Sequence, residues 1–82
     1  MVTIVFDQAI KKRIEKIKNE ALKVELKKQI LKVAANPEVG KPTRYARKGT
    51  RELHIHPFRL SYSYSKKEQK VVLLDLYHKD EQ

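Results

Sequence analysis

The feature that most narrows the possible folds is a change of hydrophobic period near Gly40-Lys41-Pro42. Upstream, apolar residues recur at spacings of three and four, as one face of an α-helix requires. Ile10, Ile14 and Ile17 form one such series, and Leu22, Leu26, Ile30 and Val33 form a second. Downstream, apolar and polar residues alternate, which is the period of a half-buried strand. Arg51-Glu52-Leu53-His54-Ile55-His56 alternates until Pro57 interrupts it. Phe58, Leu60, Tyr62 and Tyr64 then share one face, with Arg59, Ser61, Ser63 and Ser65 on the other. Separate blocks of the two periods predict an α+β fold, with helices packed on one face of a sheet.

Local signals sharpen this expectation. Residues 2–6 are rich in β-branched and aromatic side chains and predict a short strand. Asp7 follows in a position suited to cap a first helix, and Asn19 in one suited to cap a second. Pro37 cannot continue a helix and restricts Asn36, so the second helix should stop near Ala35. With almost nothing between them, the two helices should form an antiparallel hairpin. Residues 66–69 suit a hairpin loop, and Val71 to Tyr77 a last strand, apolar on both faces and so interior to the sheet. The expected order is an N-terminal strand, the helical hairpin, then three to four antiparallel strands in one twisted sheet. At 82 residues, the chain is expected to be one domain spanning 1–82.

Charge says what such a domain could meet. There are 19 basic and 10 acidic residues, a formal net charge of +9. That balance favours a polyanionic partner, either nucleic acid or an RNA–protein particle. Lys41, Arg44, Arg47, Lys48, Arg51 and Arg59 crowd residues 41–59, opposed there only by Glu52. Arginine grips phosphate through two parallel hydrogen bonds, which lysine does not. The absence of cysteine removes disulfides, thiolate metal sites and cysteine nucleophiles. No apolar run is long enough to cross a bilayer, and the first residues lack the pattern of a signal peptide. A cytoplasmic protein without membrane contact is expected.

Several short pieces carry a resemblance: Gly40-Lys41-Pro42, Arg47-Lys48-Gly49, Leu53-His54-Ile55, Phe58-Arg59-Leu60-Ser61-Tyr62 and Leu74-Asp75-Leu76-Tyr77-His78-Lys79. In that order and spacing, across the whole chain, they resemble the RelE/ParE superfamily of toxins from toxin–antitoxin pairs. The resemblance implies a ribosome-dependent endoribonuclease that cuts messenger RNA, blocks translation and is silenced by a RelB-like antitoxin in a hetero-oligomer. It also implies that Arg59 grips the scissile phosphate, that His54 stands where many members carry a basic residue, and that His78-Lys79 matches a basic pair ending the last strand. Well-studied members carry paired lysines where this chain has Glu52 and His54, and many add a tyrosine beyond the last strand, whereas none follows Tyr77 here.

RNA can be cut without metal or cofactor when its own 2′-hydroxyl attacks the adjacent phosphorus. Histidine, with a reference pKa of roughly 6.5, is the natural proton carrier near neutral pH. The expected catalytic set is therefore His54 and His78 for proton transfer, with Arg59 and Lys79 on the phosphate. Arg44, Tyr45, Arg47, Lys48 and Arg51 are expected to bind RNA, Tyr45 by stacking on an unpaired base. His54 and His56 with His78 also have the donor types of a zinc site, but the surrounding arginines oppose a dication, so no metal is expected. Two other functions fit the same residues: inhibition of DNA gyrase without nuclease activity, as in the ParE branch, and plain RNA binding.

Overall fold

The computed structural model describes residues 2–43, 49–78 and 80. The elements run β1 (Thr3–Phe6), α1 (Gln8–Glu15), α2 (Glu20–Ala35), β2 (Lys41–Pro42), β3 (Thr50–Ile55), β4 (Phe58–Ser65) and β5 (Lys70–His78). One mixed sheet has the order β1-β5-β4-β3-β2. The expected α+β architecture and the interior position of the last strand are both present. Two features are additional: β1 pairs parallel with β5, and Lys41–Pro42 makes a short edge strand against β3.

The helices start as the caps dictate, with one exception. The Asn19 side chain accepts from the Leu22 amide at 3.2 Å, satisfying one of the free donors at the start of α2. Asp7 occupies the capping position of α1 with extended backbone, but its side chain makes no capping hydrogen bond. Both helices lie on one face of the sheet, α1 over β5 and α2 over β3. Ile10, Leu26 and Val33 from the helices meet Ile55, Leu60, Tyr62, Val71, Leu73 and Leu76 from the strands. Each such burial is worth about 1.5–3 kcal/mol. The half-exposed Arg13–Asp75 ion pair, 3.1 Å between Nε and Oδ1, contributes at most about 1 kcal/mol. Packing therefore holds the fold, and the charges decorate it.

Strand register decides which side chains can act together. Directly paired residues share a face, so His54, Arg59 and Tyr77, aligned across β3, β4 and β5, project away from the helices. Glu52 and Ser61 form the adjacent row on the same face. The ladder between β4 and β5 then shifts: Ser61 pairs with Asp75, but Tyr62 pairs with Leu73. Leu74 is the extra residue of a β-bulge, and it reverses the alternation along β5. Val71 and Leu73 are buried before it, and Leu76 after it.

A polar tie fastens the loop after α2 to the sheet. The hydroxyl of the fully buried Tyr62 donates to the Pro37 carbonyl at 2.8 Å and accepts from the Gly40 amide at 2.9 Å. A Cβ at Gly40 would lie 2.6 Å from that hydroxyl and 2.8 Å from the Glu52 carbonyl, so no larger residue fits without movement. Burial pushes the Tyr62 phenol up from its ordinary value, against smaller lowering effects of the Gly40 amide and Arg51. The unfolded chain therefore ionises first, and stability is full below about pH 10 and falls as pH climbs further. Tyr62→Phe is expected to cost about 1–3 kcal/mol in denaturant unfolding. It should also lose part of the alkaline fall in stability.

Candidate functional site

Arg59 stands at the middle of the open face, between His54 on β3 and Tyr77 on β5. Its Nε is buried, yet it has no hydrogen-bond partner among the described residues. Thr43 Oγ1 shares that condition, and no other buried side-chain polar atom among the described residues does. Both residues line one depression of about 380 Å³, walled also by Lys41, Glu52 and His54. A buried donor left unpaired costs about 1–3 kcal/mol, more for a charged group. The depression itself is bordered by the cations of Lys41 and Arg59 and by the His54 imidazole, a lining that suits an anion.

Glu52 is the acidic member of this surface. Its Oε2 accepts a hydrogen bond from the Tyr77 hydroxyl, which reaches across β4 between Arg59 and Ser61. Lys41 is the register partner of Glu52 on the other side. The open face thus gathers a guanidinium, an imidazole, an ammonium, a carboxylate and a phenol. Neither Glu52 nor Tyr77 is among the candidates that sequence reasoning selects. Glu52 reads there as a departure from a lysine pattern, and Tyr77 falls on the buried side of a strictly alternating strand. A larger and mainly apolar depression, about 640 Å³, lies elsewhere, where the α1–α2 junction meets the β3–β4 turn. Ile17, Leu22, Pro57, Phe58 and Leu76 line it, together with Arg13, Lys16 and Lys18.

Comparison with known proteins decides the family. Residues 4–82 match the sequence profile described as the ParE toxin of type II toxin–antitoxin systems, parDE. The chain belongs to this family. As a RelE/ParE family member it is a toxin of a type II toxin–antitoxin system. No curated protein sequence matches it. The fold is similar to the toxin in the intact Escherichia coli RelBE complex, with a TM-score of 0.82 at 16% identity over 95% of this chain and 96% of that one. It is also similar to the Mycobacterium tuberculosis RelBE2 complex, at 0.80 and 24% over 95% and 98%. The YoeB/ParE toxin from Agrobacterium tumefaciens gives 0.82 and 14% over 94% and 98%.

Within this toxin fold the expected site residues separate. His54 and Arg59 lie side by side on the open face. His78, expected beside them, lies apart from them. Beyond the bulge it pairs with Phe58 on the helix side, and the two rings meet edge to face with centroids 5.5 Å apart. Its Nδ1 accepts the Asp80 amide at 3.1 Å. Arg51, expected to bind RNA, lies on the other face from Arg59. It pairs with Tyr62 on the helix side, and its Nη1 donates to the carbonyls of Glu38 at 3.1 Å and Gly40 at 2.7 Å. Lys79, Arg44, Tyr45, Arg47 and Lys48 lie outside the described residues. The three histidines do not converge, and no described group of His, Asp or Glu is placed to hold a metal.

The two arginines should respond oppositely to removal. Arg51→Ala is expected to destabilise the toxin by about 1–2 kcal/mol, because two loop carbonyls lose a charged donor. Arg59→Ala should leave stability unchanged or raise it by up to about 1 kcal/mol, since its buried Nε has no hydrogen-bond partner among the described residues. Urea unfolding of the two variants measures the difference.

Proposed function

We propose that the toxin is a ribosome-dependent messenger-RNA endonuclease that needs no metal, blocks translation and is neutralised by a cognate antitoxin. The observation that carries this reading is the convergence of Arg59, His54 and Lys41 on one depression of the open face. A phosphodiester is an anion of the size and charge that this lining suits. Arginine does not release its proton at ordinary pH, so Arg59 stabilises the charge that gathers on phosphorus during attack, while His54 moves a proton. The basic surface of a +9 chain supplies the affinity for ribosome-bound RNA.

An antitoxin partner has separate support. The E. coli and M. tuberculosis relatives of this fold were solved as complexes with their antitoxins. The apolar depression flanked by Lys16 and Lys18 suits a segment with apolar anchors and acidic flanks. Among the described residues no helix is long and apolar enough to cross a membrane.

Gyrase inhibition is the second reading, favoured by the family profile, which is that of the ParE toxin. Primer extension on translated messages and a supercoiling assay separate the two. The nuclease reading expects defined breaks in the message and unaffected gyrase. Arg59→Ala is expected to lower the cleavage rate by about 10²–10³-fold, the usual cost of one donor to a developing anion. Intact message together with inhibited supercoiling would instead establish the second reading.

A further inference from the structure

β2 is only two residues long, yet it brings Lys41 to the depression that Arg59 and His54 line. We infer that Lys41 binds the RNA phosphate next to the one at Arg59, and that Tyr62 and Arg51 position it from the other side of the sheet. The inference rests on the nuclease reading for its occupant, RNA, and adds to that reading a binding residue and two positioning residues.

Lys41 is displaced from Arg59 by two strands and one row of side chains. It pairs with Glu52, one row along β3 from His54, and His54 pairs with Arg59. Strand spacing and residue rise place the two backbones about 12 Å apart. Both side chains nevertheless border the same depression, and Lys41 is exposed. With one phosphate at Arg59, Lys41 is placed for a neighbouring phosphate of the same RNA strand. A lysine ammonium is a point charge on a flexible stem, which suits a phosphate whose setting varies with the message being read.

An edge strand of two residues does not hold itself in place. Pro42 has no N–H to give to the ladder. What fixes β2 lies on the helix-covered face, at Gly40, the residue before Lys41. Its amide donates to the Tyr62 hydroxyl at 2.9 Å, and its carbonyl accepts from Arg51 Nη1 at 2.7 Å. That hydroxyl donates in turn to the Pro37 carbonyl at 2.8 Å, and Arg51 Nη1 reaches the Glu38 carbonyl at 3.1 Å. Past β2, the Thr43 amide donates to the Thr50 carbonyl at 3.1 Å. The backbone of Lys41 is thus fixed before RNA arrives, and only its side chain loses freedom on binding. Tyr62 and Arg51, on the opposite face, touch the loop and not the RNA, so their role is positioning.

The test is single-turnover cleavage of message on programmed ribosomes, with toxin in excess and at several salt concentrations. The variants are Lys41→Ala, Lys41→Arg, Tyr62→Phe, the Lys41→Ala/Tyr62→Phe double variant and Arg59→Ala, each checked for folding by circular dichroism. Lys41→Ala is expected to raise the half-saturating toxin concentration about five- to tenfold, with the maximal rate within about threefold of wild type. The slope of log affinity against log salt should shrink by about 0.7, as loss of one phosphate contact to a single strand requires. Lys41→Arg should restore most of both. Tyr62→Phe should raise the half-saturating concentration about threefold when Lys41 is present and not at all in the Lys41→Ala background. A purely structural role for Tyr62 would give the same factor in both backgrounds and would overturn the positioning claim. Should Tyr62→Phe fail to fold, Arg51→Ala, which loosens the same loop, takes its place in the cycle. If Lys41→Ala keeps the wild-type concentration and salt slope while Arg59→Ala is inactive, the role of Lys41 is overturned and the nuclease reading stands. A Lys41→Ala variant that shifts only the pH dependence assigns Lys41 to offsetting Glu52, and likewise overturns it. Wild-type protein that leaves the message intact overturns both the inference and the reading beneath it.

Discussion

The structure depends on the alternation of side chains across β3, β4 and β5, and on the single place where that alternation is broken. Every strand residue must choose between the helix-covered face and the open face, and a one-residue slip reverses the choice for all that follow. The bulge at Leu74 is such a slip, built in. Before it, Val71 and Leu73 enter the core, and after it Leu76 does. The bulge therefore keeps the end of β5 packed against the helices and, in the same motion, turns Tyr77 outward beside Arg59. One extra residue settles both the core and the composition of the open face.

The arginine-rich window dissolves into distinct jobs once the register is known. Arg51 and Arg59 look alike in sequence, each on a strand and each among basic neighbours. Arg51 sits opposite Tyr62 and spends its guanidinium on the carbonyls of the loop that Tyr62 also ties down. Together they hold β2 against β3, which places Lys41 and Thr43 beside Glu52. Arg59, on the opposite face, keeps a buried Nε without a hydrogen-bond partner among the described residues. Folding engages the first arginine in the loop and leaves the second on the open face, at the depression it shares with His54 and Lys41.

Much of the architecture was legible because it follows from periodicity. The isoleucine and leucine series announced both helices, Pro37 marked the end of the second, and the Phe58-to-Tyr64 stripe set the face of β4. The parallel pairing of β1 with β5 was not legible, since local pattern says nothing about which distant strand will be the neighbour. Asp7 illustrates the limit of positional rules: it stands at the cap but makes no capping bond. The site was legible only in part. His54 and Arg59 are cross-strand partners on either side of a tight turn, so counting outward from Pro57 places them together. His78 required counting along β5, and that count fails at Leu74. An apolar residue in an apolar strand gives no sign that it is the one to be skipped.

Glu52 is the residue that best distinguishes a catalyst from an adhesive surface. For a protein that only binds RNA, a carboxylate beside the phosphate-holding arginine is a defect. Like charges about 4 Å apart repel by about 1 kcal/mol in water, and by about 4 kcal/mol at the effective dielectric of a protein surface. The neighbouring Lys41 and Arg59 offset part of that repulsion but would bind phosphate better without it. A hydrogen bond from Tyr77 makes the arrangement still less suited to pure binding, because it holds the carboxylate in place instead of letting it swing away to solvent.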